Sequence, residues 1–153
     1  MQRFDHSFLA MGGPCRLRID CDDPAEADHA IGVAEAEVQR LESKYSRYLS
    51  GSLTSEINRR AGSGQAVAID PETFGLLNYA QTLWQESDGL FDLTSGVLRR
   101  AWDFKSSRLP SQAEVNQLLP LVDWPGVEWG EQAVLLPRKG MELDFGGCVK
   151  EYA

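Results

Sequence analysis

The chain has 153 residues, 42% hydrophobic and 25% charged, a balance that suits one soluble globular domain with a real core. Its net charge of −8 disfavours non-specific binding to nucleic acid or to an anionic membrane. An anionic ligand would therefore have to be met locally, by backbone N–H groups, a few lysines or arginines, or a metal ion.

Phe4 to Ile19 reads as two strands. Phe8-Leu9-Ala10-Met11 runs into Gly12-Gly13-Pro14, a turn or bulge, and Cys15 to Asp20 then alternates. Met11 falls at a strand end beside that bend, where a core gap-filler is the usual reading. Asp23-Pro24 opens a long helix, an N-cap followed by proline at the first helical position. Ala27, Ala30 or Ile31, Ala34, Val38, Leu41 and Tyr45 mark its apolar face, and Glu26, Glu35, Glu37 and Glu42 read as its solvated face. His6 and His29 have no partner at metal-ligand spacing and receive no role.

Tyr45 to Ser52 is a polar loop with two tyrosines, and Leu53 to Asn58 a short helix before Gly62-Ser63-Gly64. A tyrosine beside Arg47 and serines either stacks on a planar ring or closes a phosphate pocket, or else half-covers the core edge. Val67 to Ile69 is a short strand, and Asp70-Pro71 repeats the N-cap-plus-proline signal for a second helix that ends at Ser87-Asp88-Gly89. Leu90 to Gly96 is a glycine-bounded loop in which Asp92 is either a site residue or the N-cap of the turns that follow. Arg99 to Leu109 is basic and loop-like and holds Trp102-Asp103-Phe104. Ser111 to Glu114 is a capping box for a helix that Pro120 stops. Val127 to Trp129 and Ala133 to Leu136 read as a hairpin across Gly130-Glu131-Gln132.

The closing stretch carries the most chemistry. Leu143 and Phe145 alternate with Glu142 and Asp144, the period of a strand, and Gly146-Gly147 then turns into a helix start. Asp144 at the strand end, exposed backbone and Lys150 together suit a nucleotide phosphate with a metal ion. Plain strand–turn–helix packing accounts for the same pattern. Cys148 is either a nucleophile or a buried spacer.

The order of elements is an α+β pattern, with a mixed or antiparallel sheet packed with helices. There is no GxGxxG or Walker-type loop, which leaves Rossmann and P-loop sites without support. Three cysteines without a CxxC pair argue for a reducing compartment. The first residues hold no apolar signal core and no run is long enough to span a membrane, so a cytoplasmic location is expected. A periplasmic or membrane-anchored location fits if a leader has been removed.

Four separated stretches together resemble the ApbE family, the FAD:protein FMN transferases once called thiamine biosynthesis lipoproteins. Met11-Gly12-Gly13 is similar to the family's Met-Gly-Thr. Ser46-Arg47-Tyr48 with Thr54-Ser55-Glu56-Ile57 and Asn58 resembles S-x-Y … S-E-I … L-N. Ser87 to Thr94 resembles S-x-G-A-F-D-x-T, and Leu143 to Ala153 resembles L-D-L-G-G-I-A-K-G-Y-A. Trp102 also stands where the family often has a tryptophan. Gly13 in place of threonine and Glu151 in place of glycine are departures.

The resemblance covers nearly all of this chain and about half of the family's usual length. It implies that residues 1–153 are the N-terminal part of a single ApbE-like, T-fold-like domain, apparently truncated. Segments that bring a histidine near the pyrophosphate and an acidic/threonine motif for magnesium are not in the match. The resemblance further implies that Met11, Tyr48, Leu90, Phe91, Asp92, Asp144 and Lys150 contact FAD, and that the Gly147 carbonyl binds Mg²⁺. The implied reaction moves FMN from FAD to a threonine or serine hydroxyl of a target flavoprotein and releases AMP. The other readings are a flavin-binding module without transfer, and an FAD pyrophosphatase giving FMN and AMP. An exposed core edge would favour a homodimer.

Overall fold

A computed structural model describes residues 1–102 and 108–153. The sequence reading of Asp103 and Phe104 lies outside the described residues. Strands β1 (Gln2–Ala10) and β2 (Gly13–Cys21) form an antiparallel hairpin in register from Gln2 opposite Cys21 to Ala10 opposite Gly13. Its two-residue turn is Met11-Gly12, with φ of 52° and 78°. Both central residues are left-handed, as the turn that matches strand twist requires. Met11 thus sits in the turn itself rather than at a strand end.

Helix α1 (Pro24–Tyr45) begins as expected, with the Asp23 side chain accepting from Ala25 N–H at 2.9 Å. It covers one face of the hairpin, where Phe4, Phe8, Leu17 and Ile19 are half-buried. His6, given no role from the sequence, meets Glu35 of α1 at 2.8 Å. The other hairpin face is a charged surface with Arg3 on Asp20 and Asp5 between Arg16 and Arg18.

Helix α2 (Leu53–Arg59) is capped by Ser52, and α3 (Pro71–Glu86) by Asp70, which accepts from Thr73 N–H at 2.9 Å. A 3-10 helix spans Leu93–Arg100, and α4 (Gln112–Leu118) carries the expected capping box from Ser111 to Glu114. A second small sheet has the order β3 (Val67–Ala68), β5 (Ala133–Leu135), β4 (Glu128–Trp129), all antiparallel. The expected hairpin across Gly130 to Gln132 is therefore present.

The core is built from α1, α2 and α3 around the segment from Met141 to Val149, with Leu41, Ile57, Leu77, Trp124, Met141, Leu143 and Phe145 all at most 1% exposed. This central segment corrects the sequence reading. Glu142 to Phe145 is not a strand, because among the described residues no strand lies beside it to accept its ladder. Residues Met141, Glu142 and Leu143 are all buried in succession, which breaks the alternation. Glu142 has no solvated face; it lies under Arg99, at 3.1 Å, and Arg100. Asp144 instead caps a 3-10 turn at Phe145–Gly147, and α5 (Val149–Tyr152) follows. With four residues, α5 lends no helix-terminus field to the phosphate reading.

Candidate functional site

A cleft of about 540 Å³ opens between the hairpin tip, the last turns of α1 and the Asp144–Lys150 segment. Its bed is apolar: Leu41, Tyr45, Phe145 and Val149, with the Tyr45 and Phe145 rings 5.1 Å apart. Met11 and Gly12 form one edge, Ser46 to Leu49 another, and Asp144, Gly146 and Lys150 a third. An apolar bed with a few polar groups at its rim is the usual make-up of a small-molecule site.

Each edge is tied down by a charged side chain. At the hairpin tip, the Met11 N–H donates to Glu42 Oε1 at 2.8 Å, which holds a left-handed non-glycine residue in place. Arg47 reaches Asp144 Oδ2 at 2.6 Å, the Gly96 carbonyl at 3.3 Å and the Tyr48 hydroxyl at 3.1 Å. Its guanidinium also lies 5.1 Å from the Tyr48 ring centroid. Asp144 Oδ1 accepts from Gly146 N–H at 3.0 Å, so its two oxygens serve two purposes. Lys150 is exposed and makes no ion pair with any described residue.

Four of the sequence-derived residues, Met11, Tyr48, Asp144 and Lys150, therefore come together around one cleft. Leu90, Phe91 and Asp92 do not line it. Leu90 projects into solvent at 90% exposure. The Phe91 ring packs on the Gly147 turn, so closely that a Cβ at Gly147 would stand 3.0 Å from it. Asp92 acts as the N-cap that the sequence reading also allowed. Its Oδ1 accepts from Thr94 N–H at 2.6 Å and Thr94 Oγ1 at 2.5 Å, and its Oδ2 from Trp124 N–H at 3.2 Å.

Cys148 is 1% exposed, and burial, reinforced by the charges of Glu151 and Asp144, pushes its thiol up to about 11. A thiol in that state is protonated at neutral pH and is a core spacer. Glu42, read from the sequence as solvated, is a cleft residue; its place one turn before Ser46 was the available signal. Arg47 filled the variable position of its motif and was not assigned to the site.

Among the described residues no group of three His, Cys, Asp or Glu side chains is placed to hold a metal ion. The Gly147 carbonyl is one hard oxygen, whereas Mg²⁺ takes a near-octahedral oxygen shell. These residues by themselves do not form a Mg²⁺ centre.

The α+β fold is that of ApbE proteins of known structure. The chain superposes on the ApbE protein from Thermotoga maritima with a TM-score of 0.84 and 25% identity, covering 99% of this chain and 50% of that one. The flavin transferase ApbE from Vibrio cholerae gives a TM-score of 0.83 at 18% identity, with 99% and 50% covered. In sequence, the chain is 30% identical over 118 residues to the FAD:protein FMN transferase of Chlamydia pneumoniae, covering 74% of this chain and 37% of that protein. It is 31% identical over 99 residues to the FAD:protein FMN transferase of Rhodobacter capsulatus, covering 62% and 19%. The model of the ApbE family matches residues 11–153, and the chain belongs to that family. It spans 37% of the length of the first of these relatives and half that of the matched structures.

Proposed function

We propose that this chain is the flavin-nucleotide-binding part of an FAD:protein FMN transferase. The observation that carries this reading is the convergence of Met11, Tyr48, Asp144 and Lys150 on one apolar-floored cleft in a chain of the ApbE family. Met11 and Tyr48 offer surfaces for planar rings, and Tyr48, 78% exposed, is free to take a ring on its outer side. Asp144 accepts hydrogen bonds from hydroxyl or amino groups of the nucleotide. Lys150 offsets pyrophosphate charge. Phe91 packs on the Gly147 turn and Asp92 caps the 3-10 helix that follows it, while the Leu90 side chain is exposed; all three belong to the proposed FAD set.

In the proposed reaction a threonine or serine hydroxyl of a target flavoprotein attacks the FMN-side phosphorus of FAD. The bond to the AMP-side oxygen breaks, AMP leaves, and the hydroxyl proton passes to solvent. The acceptor supplies the nucleophile, which agrees with the burial of Cys148. The work of this chain is then to bind and orient the dinucleotide. Mg²⁺ enters the proposal through the Gly147 carbonyl, as one ligand of a site that needs further oxygen donors; when bound it would neutralise pyrophosphate charge.

No helix among the described residues is long and apolar enough to cross a membrane. The cytoplasmic location and the homodimer are parts of the proposal. The first draws support from the free thiols of Cys15, Cys21 and Cys148, and the second from the long outer edges of β1 and β2.

Calorimetric titration with FAD, with and without Mg²⁺, tests the reading. Saturable binding that weakens in Lys150→Ala is the expected result. A folded chain that binds no FAD in either condition overturns it. Chromatography of FAD incubated with and without an acceptor flavoprotein separates the alternatives: FMN released without acceptor is the mark of a pyrophosphatase, and binding without turnover that of a flavin-binding module.

A further inference from the structure

The cleft rim carries two carboxylates, Glu42 and Asp144, and two cations, Arg47 and Lys150. Glu42 is engaged by the Met11 backbone. Lys150 has no ion-pair partner among the described residues. Arg47 is the group on which the rest of the rim depends. Its side chain is 13% exposed, so its pair with Asp144 is screened far less than a surface ion pair. The same guanidinium also fixes the Tyr48 ring from one side and anchors on the Gly96 carbonyl. The absence of a side chain at Gly96 permits the approach, since a Cβ there would stand 2.9 Å from Arg47 Nη1 and 2.6 Å from Asp144 Cβ.

We infer that Arg47 is the positioning residue of the cleft: it neutralises Asp144 and orients Tyr48, so that the phosphates of a flavin nucleotide meet Lys150 without an uncompensated carboxylate beside them. This inference rests on the flavin-nucleotide reading above. The planar fork of arginine can face Asp144, Tyr48 and the Gly96 carbonyl together, whereas a lysine ammonium would neutralise Asp144 as a point charge and lose the ring contact. If Arg47 is replaced by a neutral residue, the rim changes from balanced to net negative where an anion must enter.

The test is FAD affinity by calorimetry for wild type, Arg47→Gln, Arg47→Lys, Asp144→Asn and the Arg47→Gln/Asp144→Asn double variant, each at low and high salt. Thermal unfolding of every variant is followed in parallel. Asp144→Asn retains an oxygen for the Gly146 N–H. Arg47→Gln is expected to weaken FAD by about tenfold, the scale of one charge contact. That loss shrinks at high salt, and it is smaller when Arg47→Gln is introduced into Asp144→Asn than into wild type, since the carboxylate left uncompensated is then gone. Arg47→Lys falls between wild type and Arg47→Gln. A loss in Arg47→Gln that neither salt nor Asp144→Asn relieves makes Arg47 a packing residue and overturns the inference. Unchanged affinity in folded Arg47→Gln and Arg47→Lys overturns it too, while the flavin reading stands. A folded wild type that binds no FAD removes the flavin reading and this inference with it.

Discussion

Asn58 closes its carboxamide on the backbone of Leu143: its Oδ1 accepts the Leu143 N–H at 2.7 Å, and its Nδ2 donates to the Leu143 carbonyl at 3.0 Å. One side chain thereby does for Leu143 what a neighbouring strand would do. Leu143 is fully buried, so its backbone groups depend on this side chain rather than on bulk solvent. Asn58→Ala should cost about 2–4 kcal/mol, the penalty for two buried backbone groups left unpaired. Urea denaturation measures it. A midpoint equal to wild type would show that the pair is dispensable. Because Asp144 is the next residue, FAD affinity should fall in the same variant.

Gly96 sets a second expectation. A methyl at this position meets Asp144 Cβ, which cannot swing aside as a side-chain tip would. Gly96→Ala should therefore displace Asp144 and Arg47 together and weaken FAD, with a smaller effect on stability than Asn58→Ala. Calorimetry and denaturation on one sample separate the two effects. Undiminished FAD affinity would mean that the rim tolerates the shift.

The three thiols should differ in reactivity. Cys15 and Cys21 are half-buried, whereas Cys148 is buried and its thiol stands near 11. In a timed reaction with a disulfide reagent at pH 8, two thiols should react with the native chain, and the third only when denaturant is added. Rapid labelling of Cys148 in the native state, read by peptide mass, would contradict the placement.

Acid should loosen the tie between α1 and α3. Glu72 accepts from Arg40 and Lys44, and hydrogen bonding to Arg40, ahead of the opposing effect of burial, brings its carboxyl from 4.5 down to about 2. For Asp70 burial pushes upward, but bonds from Lys44 and Thr73 outweigh it and hold the carboxyl well below the usual range. Folded values below unfolded ones mean that this contribution is complete above about pH 4.5 and is lost as pH falls toward 2. Glu72→Gln should flatten the acid limb of a stability profile over that window. An unchanged acid limb would locate the acid sensitivity elsewhere.

Local signals carried much of the fold. The Asp23-Pro24 and Asp70-Pro71 pairs start α1 and α3 where their chemistry says, and Ser111 with Glu114 starts α4. These signals act within one turn of chain and need no distant partner. Glu142 to Phe145 read wrongly because alternation says nothing of neighbours: Asn58 supplies the backbone partner from a position 85 residues away, and Arg99 and Arg100 cover Glu142. The cleft divides in the same way. Met11, Tyr48, Asp144 and Lys150 were legible through short motifs, but Arg47 and Glu42 became cleft residues only when the turn after α1 met the hairpin tip.

Met11 stands at the cleft because of a count. Nine residue pairs carry β1 and β2 from Gln2 and Cys21 up to Ala10 and Gly13, and the turn follows at the next step. The hairpin works as a ruler laid along α1, pinned by His6 on Glu35 partway and by Glu42 at the end mark. Its outward residues Arg3, Asp5, Arg16 and Arg18 are free to drift in evolution so long as the charges still match. An insertion or deletion of one residue in either strand is another matter. It would turn the inner stripe outward and move a different residue onto the rim, altering the ligand site from a point many residues away.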